Sequence, residues 1–160
     1  MTAPAIRRVV TTHDANGRAI IALDEVVRGE FVTQGWATDE PLSNNVDGFE
    51  SGRGQPGPTI PGGAAIRFLD IEPGYQSPMH RTNSIDYVMI LDGELEMTLD
   101  GGETVTIHAG DIVIQRGTNH AWQNKSGRVC RMVSTLIAAE PVQINGKPLD
   151  ETWDPTSMKE

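Results

Sequence analysis

The chain has 160 residues and a mass of 17.4 kDa, with 38% hydrophobic and 22% charged residues. That is one domain-sized unit with enough apolar content to build its own core, which excludes a disordered chain. Thirteen Lys and Arg against 22 Asp and Glu give a net charge of −9, so the basic surplus that nucleic acid or an anionic membrane surface requires is missing.

Residues 6–10, 19–23 and 31–37 are short apolar and β-branched runs that predict three strands. Residues 41–63 hold six glycines and four prolines. They predict a long irregular loop, either a lid over a site or an unstructured excursion. Residues 64–71 lead into a regular region with strands at 85–91, 94–99, 104–107, 111–115, 120–124 and 128–138. Turn signals separate them at Asp92-Gly93, Asp100-Gly101-Gly102, Ala109-Gly110, Arg116-Gly117-Thr118 and Lys125-Ser126-Gly127. Turns every eight or nine residues between short strands predict an all-β antiparallel sandwich or barrel. Glu94, Leu95, Glu96 and Met97 alternate as in a strand with one wet face. No segment carries a helical period of three turns, and no internal repeat is present. The expected organisation is 1–63 as N-terminal strands and loop packed on a barrel, 64–140 as the barrel core, and 141–160 as a C-terminal extension.

One cysteine, Cys130, allows no intrachain disulfide and no thiolate zinc site. No signal-type apolar run follows the first arginines, and no stretch reaches the ~18 apolar residues of a membrane span. The expectation is a cytoplasmic protein.

Four histidines are available: His13, His80, His108 and His120. In an extended chain His80 and Asp86 would stand about 20 Å apart at ~3.3 Å per residue. Asn83 and Ser84 are turn formers, and a hairpin there would bring His80 opposite Asp86, with Cβ atoms about 5 Å apart. His120 begins a later strand and would approach from the adjoining sheet. Two imidazoles and one carboxylate form a ligand set for divalent iron, zinc or manganese, with positions left open for substrate.

Residues 74–124 resemble the paired signature motifs of the cupin superfamily. Gly74, His80, Thr82, Asp86 and Gly93 fall at the spacings of the first motif. Gly110, Gly117, His120 and Asn124 match the second, with Gln115 in the proline place and the first gap one residue shorter. The family's second histidine is Thr82 here, and its glutamate is Asp86. The resemblance implies an all-β double-stranded β-helix, a jelly-roll barrel. It implies a divalent metal held by His80, Asp86 and His120, with Thr82 no longer a ligand, and a homodimer paired through sheet edges or faces. The runs His80-Arg81-Thr82, Asp86-Tyr87 and Gln115 to Asn124 together also resemble small single-domain cupins of bacteria and of fungal biosynthetic clusters.

Alternation puts Trp122 on the face of His120, and Val88 and Ile90 on the face of Asp86. Trp122, Thr82, Arg67, Val88 and Ile90 are therefore the expected substrate-binding residues, Arg67 as the partner of a carboxylate. Tyr87 is expected to face away, His108 and Arg116 to lie on the surface, His13 to have at most a weak link to the site, Asn124 to serve a structural hydrogen bond and Cys130 to fill the core. Trp36 and the 41–63 loop are expected near the pocket mouth. The implied function is a metal-dependent enzyme acting on a small oxygenated organic molecule, as a dioxygenase, decarboxylase, isomerase or lyase. The competing reading is a non-catalytic small-molecule-binding cupin. A metal-free sugar epimerase ranks third, since no His-Asp base pair stands out.

Overall fold

Period-two alternation along short β-branched strands decides this fold. The computed structural model describes residues 3–13, 15, 16, 18–30, 32–38, 57 and 59–152. Ten strands carry it: β1 Ile6–His13, β2 Ala19–Val27, β3 Thr33–Thr38, β4 Ala64–Ile71, β5 Ser84–Asp92, β6 Glu94–Leu99, β7 Thr104–His108, β8 Ile112–Arg116, β9 His120–Gln123 and β10 Cys130–Ala138. A small hairpin, β11 Gln143–Ile144 and β12 Lys147–Pro148, follows in the stretch expected as an extension. The described residues contain no helix.

Eight of these strands form a five-stranded sheet in the order β3-β4-β10-β5-β8 and a three-stranded sheet in the order β7-β6-β9, while β1 and β2 pair as a separate two-stranded sheet. All pairings within them are antiparallel, and both larger sheets contain neighbours that are not consecutive in the chain. That is the expected double-sheet jelly roll. The core lies between the sheets. Leu69, Ile71, Val88, Ile90, Cys130 and Met132 face Leu95, Met97, Ile107 and Trp122 across it. Burial of such side chains contributes roughly 25 cal/mol per Å² of apolar surface.

Two features differ from the sequence reading. β3 is an integral member of the main sheet, paired with β4, rather than a strand packed on a finished barrel. β3 also carries a bulge between Gln34 and Trp36. The extra residue, Gly35, reverses the facing that alternation alone would assign. Gln34 consequently stands opposite Arg67 and Trp36 opposite Ile66. Trp36 therefore lies on the outer face, beneath the Arg8 guanidinium at 5.6 Å, and does not reach the pocket mouth. Most of the 41–63 loop falls outside the described residues.

Gly93 is the corner at which the chain leaves the large sheet for the small one. Its φ is +85°, and a Cβ there would come within 2.9 Å of the Cys130 Cα. Asn124 ties the end of β9 down. It is fully buried, its Nδ2 donates to the carbonyls of Ile71 (2.7 Å) and Arg128 (2.9 Å), and its Oδ1 accepts from the Ser126 backbone N–H and hydroxyl. Asn124→Ala strips partners from buried carbonyls and an amide at once. It is expected to lower unfolding stability by about 3 kcal/mol, read by chemical denaturation, without changing the far-UV spectrum of the folded protein.

Candidate active site

Residues 73–82 form no continuous strand. Pro73 and Pro78 lack the N–H a ladder needs, so the segment touches β9 at intervals. Asn124 N–H donates to Tyr75 O at 2.9 Å, and Ser77 N–H to Trp122 O at 2.8 Å. His80 and His120 then exchange both backbone bonds, each 2.9 Å. The expected hairpin at Asn83-Ser84 is not formed: His80 stands opposite His120, while Asp86 pairs with Gln115 on one side and Leu136 on the other. The reason is that β5 begins at Ser84 and joins the large sheet, whereas His80 stays docked on the small one.

This docking sets the two imidazoles side by side, with ring centroids 4.3 Å apart and planes inclined at 51°. Each Nδ1 lies 2.9 Å from the carbonyl oxygen of the residue two positions earlier, Pro78 for His80 and Thr118 for His120. A carbonyl only accepts, so each Nδ1 carries the proton and each Nε2 presents a lone pair. Burial lowers the basicity of both rings. His120 is brought down to about 4, with its neighbour His80 adding to the effect. Both are neutral at neutral pH.

Asp86 is 6% exposed, and burial pushes its carboxyl up to about 6. The hydrogen bond from Ser84 and the charge of Arg67 oppose that shift. Ser84 Oγ donates to Asp86 Oδ1 at 2.6 Å, so the Thr82 hydroxyl, 2.8 Å from Ser84 Oγ, donates in turn to Ser84. Arg67 projects inward on β4, and its Nη2 donates to the Gly57 carbonyl at 2.9 Å. Asp70, three residues along β4 and so on the opposite face, binds Arg131.

These groups line a cavity of about 360 Å³ inside the barrel. His80, Asp86, His120, Thr82, Arg67, Val88 and Trp122 all reach it. Trp122 is 5% exposed and meets His120 edge-on, with centroids 5.7 Å apart and planes at 82°. Ile90 does not reach it. One pleat farther along β5 it is 1% exposed and packed in the core. Met132, Ser134 and Leu136 add a wall that alternation on β10 would have revealed, because 132, 134 and 136 share the inward parity. Gln34 also lines the cavity, and the bulge hid it from sequence reading. Tyr75 and Ser77 reach it from the irregular segment, for which no periodicity exists. His108 is on the surface beside Glu94 at 3.3 Å, Tyr87 faces away, and Cys130 is fully buried in the core with its thiol pushed up to about 11. The His13 side chain is outside the description.

Among the described residues, no group of three or more His, Cys, Asp or Glu side chains is gathered closely enough to hold one metal ion. The arrangement is a two-imidazole pair with a separate carboxyl, held by hydroxyls, facing the same cavity.

The comparisons agree with this architecture. The profile of the Cupin domain family matches residues 67–136. A phomopsin biosynthesis cluster protein, C′, of Diaporthe leptostromiformis is 40% identical over 89% of this chain and 83% of its own length. A cupin-domain-containing oxidoreductase of Neurospora crassa is 34% identical over 92% of this chain and 83% of its own. The chain belongs to the cupin family. Among solved structures, the cupin domain of an XRE family transcriptional regulator from Enterobacter cloacae is 30% identical over 46% of this chain and 80% of that one, with a TM-score of 0.41. Within the described residues of this cupin, no helix is long and apolar enough to cross a membrane.

The buried acid and the buried base give opposite signs to the pH dependence of stability. Asp86 titrates near 3.8 when unfolded and near 6 when folded. Its contribution is full below pH 3.8 and is lost as pH rises toward 6. His120 titrates near 6.5 unfolded and near 4 folded, so its contribution is full above pH 6.5 and is lost as pH falls toward 4. Asp86→Asn removes only the first effect. At pH 7.5 it is expected to be more stable than wild type, by up to about 3 kcal/mol for a two-unit shift. Thermal melts should show that advantage shrinking steadily between pH 6 and pH 4.

Proposed function

We propose that the barrel cavity is the active site of a cupin enzyme acting on a small, flat, oxygen-bearing organic molecule. The observation that carries this reading is the make-up of the cavity. Apolar walls enclose about 360 Å³, and two neutral imidazoles, a carboxyl and a guanidinium reach into the same space. The relatives support it: several are named cupin-domain-containing oxidoreductases, and others are proteins of phomopsin and oryzines biosynthesis clusters.

In this reading Trp122, Val88 and Leu69 hold the apolar body, and the substrate oxygen lies toward Arg67 and Asp86. An imidazole Nε2 accepts a proton from the carbon or oxygen beside that group, and Arg67 offsets the negative charge that develops on the substrate oxygen. Asp86, with a carboxyl near 6, returns or receives a proton at working pH. The cavity lining contains no cysteine, so an oxidation there draws its oxidant from a co-substrate or a bound group.

A divalent ion, iron, zinc or manganese, is the second reading. It is favoured by the Nδ1 protons fixed on backbone carbonyls, a tautomer in which Nε2 is the ring's ligating atom. Asp86 is not grouped with them, so the donor set does not fit a three-ligand centre and the proton transfers above are written without an ion. Elemental analysis of protein purified without added metal decides between the two. A stoichiometric ion that is lost in His120→Ala supports the second.

Catalysis is tested by deuterium wash-in from heavy water at the carbon beside the carbonyl, followed by NMR over a panel of cyclic ketones and aromatic aldehydes. Wild type is expected to exchange about a hundredfold faster than His120→Ala, the usual contribution of a positioned base. Binding without exchange or turnover would establish instead a small-molecule-binding module.

A further inference from the structure

Arg81 stands between the cavity-lining residues His80 and Thr82 and does not itself line the cavity. Its guanidinium is held in three directions. Nε donates to the Gly117 carbonyl at 3.1 Å, Nη1 donates to the Asp150 carbonyl at 3.4 Å, and Nη2 stands 3.8 Å from Asp100 Oδ2. The side chain is only 15% exposed, so these acceptors replace much of the water it has given up. Gly117 lies three residues before His120, Asp100 lies in the turn after β6, and Asp150 follows β12. The stretch after β12 makes further bonds to the same segments. Glu151 Oε1 accepts from the Asn83 backbone N–H at 2.7 Å. Thr152 N–H donates to the Arg81 carbonyl at 3.1 Å, and the Thr152 hydroxyl donates to Asn119 Oδ1 at 3.2 Å. Val142 closes on Gly117, where an added Cβ would stand 2.9 Å from its Cγ2.

We propose that Arg81 is a positioning residue for the imidazole pair, and that residues 150–152 are the strap that acts with it. His120 Nδ1 gives its proton to the Thr118 carbonyl. Thr118 has Gly117 before it, held by Arg81, and Asn119 after it, held by Thr152. His80 is followed directly by Arg81, whose own carbonyl takes the Thr152 N–H. The backbone that orients both rings is thus anchored from behind by one guanidinium and a strap of three residues. That strap lies outside the 67–136 span of the family profile. A planar fork reaches several acceptors at once, which a lysine ammonium on a flexible stem does not reproduce. The proposal concerns the orientation of the rings alone, so it holds whether the cavity is catalytic or only binds.

Long-range proton–nitrogen correlation spectra of the histidine side chains test this on the full chain, with amide exchange and unfolding measured beside them. In wild type both rings are expected as single Nδ1–H tautomers. Arg81→Ala is expected to give mixed tautomers at His120 and about tenfold faster exchange of the His80 and His120 amides, while the chain stays folded. Arg81→Lys is expected to fall between the two. Thr152→Pro deletes both Thr152 bonds and is expected to act in the same direction through the strap alone. It decides the matter should Arg81→Ala fail to fold. Glu151→Gln keeps an accepting oxygen and is expected to match wild type, whereas Glu151→Ala is not. Arg7→Ala breaks an exposed ion pair with Asp24 and is expected to leave both histidines unchanged. Folded Arg81→Ala and Thr152→Pro that lose stability alone, with wild-type tautomers and wild-type exchange at both histidines, would reduce Arg81 to a structural tie and overturn the proposal. So would a wild type whose rings are not Nδ1–H tautomers. None of these readouts uses turnover, so failure of the catalytic reading is seen separately.

Discussion

The site depends on two backbone hydrogen bonds, the reciprocal 2.9 Å pair between His80 and His120. Of the contacts by which the irregular, proline-interrupted segment docks on the β9 side, this is the one where two residues exchange both bonds, and both are histidines. Directly opposed residues of an antiparallel pair project to the same side. The exchange therefore fixes two imidazoles on one face without any side chain having to hold them together. Each ring is then locked by the carbonyl two residues behind it, the same device used twice. Two neutral bases at 4.3 Å follow from this: burial disfavours the protonation of both rings, and His80 further disfavours that of His120.

Asp86 stands apart for a related reason. It belongs to the other sheet, one short methylene from its backbone, and the position of the family's second histidine is a threonine. In place of a ligand, Thr82 supplies the first hydroxyl of a chain through Ser84 to the carboxyl. That chain fixes the direction of the protons. Ser84 commits its hydrogen to Asp86, and Thr82 commits its own to Ser84. A carboxyl held in this way receives only part of the compensation that burial demands, and its affinity for a proton rises accordingly.

Much of this was legible in the chain. Each glycine that closes a turn between strands marked a real boundary, and the alternation after Asp86 and His120 placed Val88 and Trp122 in the cavity and Tyr87 outside it. The failures share one cause: parity holds only inside an uninterrupted strand. A bulge at Gly35 sent Gln34 inward and Trp36 outward, and one extra residue leaves no mark that composition can read. Ile90 had the right parity but lay too deep, because alternation gives a face and not a depth. His80 was assigned the wrong partner because turn-forming residues at 83 and 84 are equally consistent with a hairpin and with a chain passing between sheets. Long-range pairing decides that, and no local signal reports it.

One feature of the sequence gains its meaning only from the sheet. In antiparallel folds the outward side of a strand is commonly wet, and β6 obeys, with Glu94 and Glu96 alternating with Leu95 and Met97. From Ile85 to Leu91, β5 reads apolar at every position except Asp86. Such a run is the pattern of a strand meant for apolar surroundings on both faces. One of those faces is the cavity. Against that background the carboxyl of Asp86 is the anomaly, since burying an acid costs free energy that hydrogen bonds from one serine only partly offset. The strand that tolerates charge least carries the only acid that lines the cavity among the described residues. The residue immediately after that acid, Tyr87, starts the opposite face, so the cavity wall and the outer surface are built from the same backbone and share its rigidity.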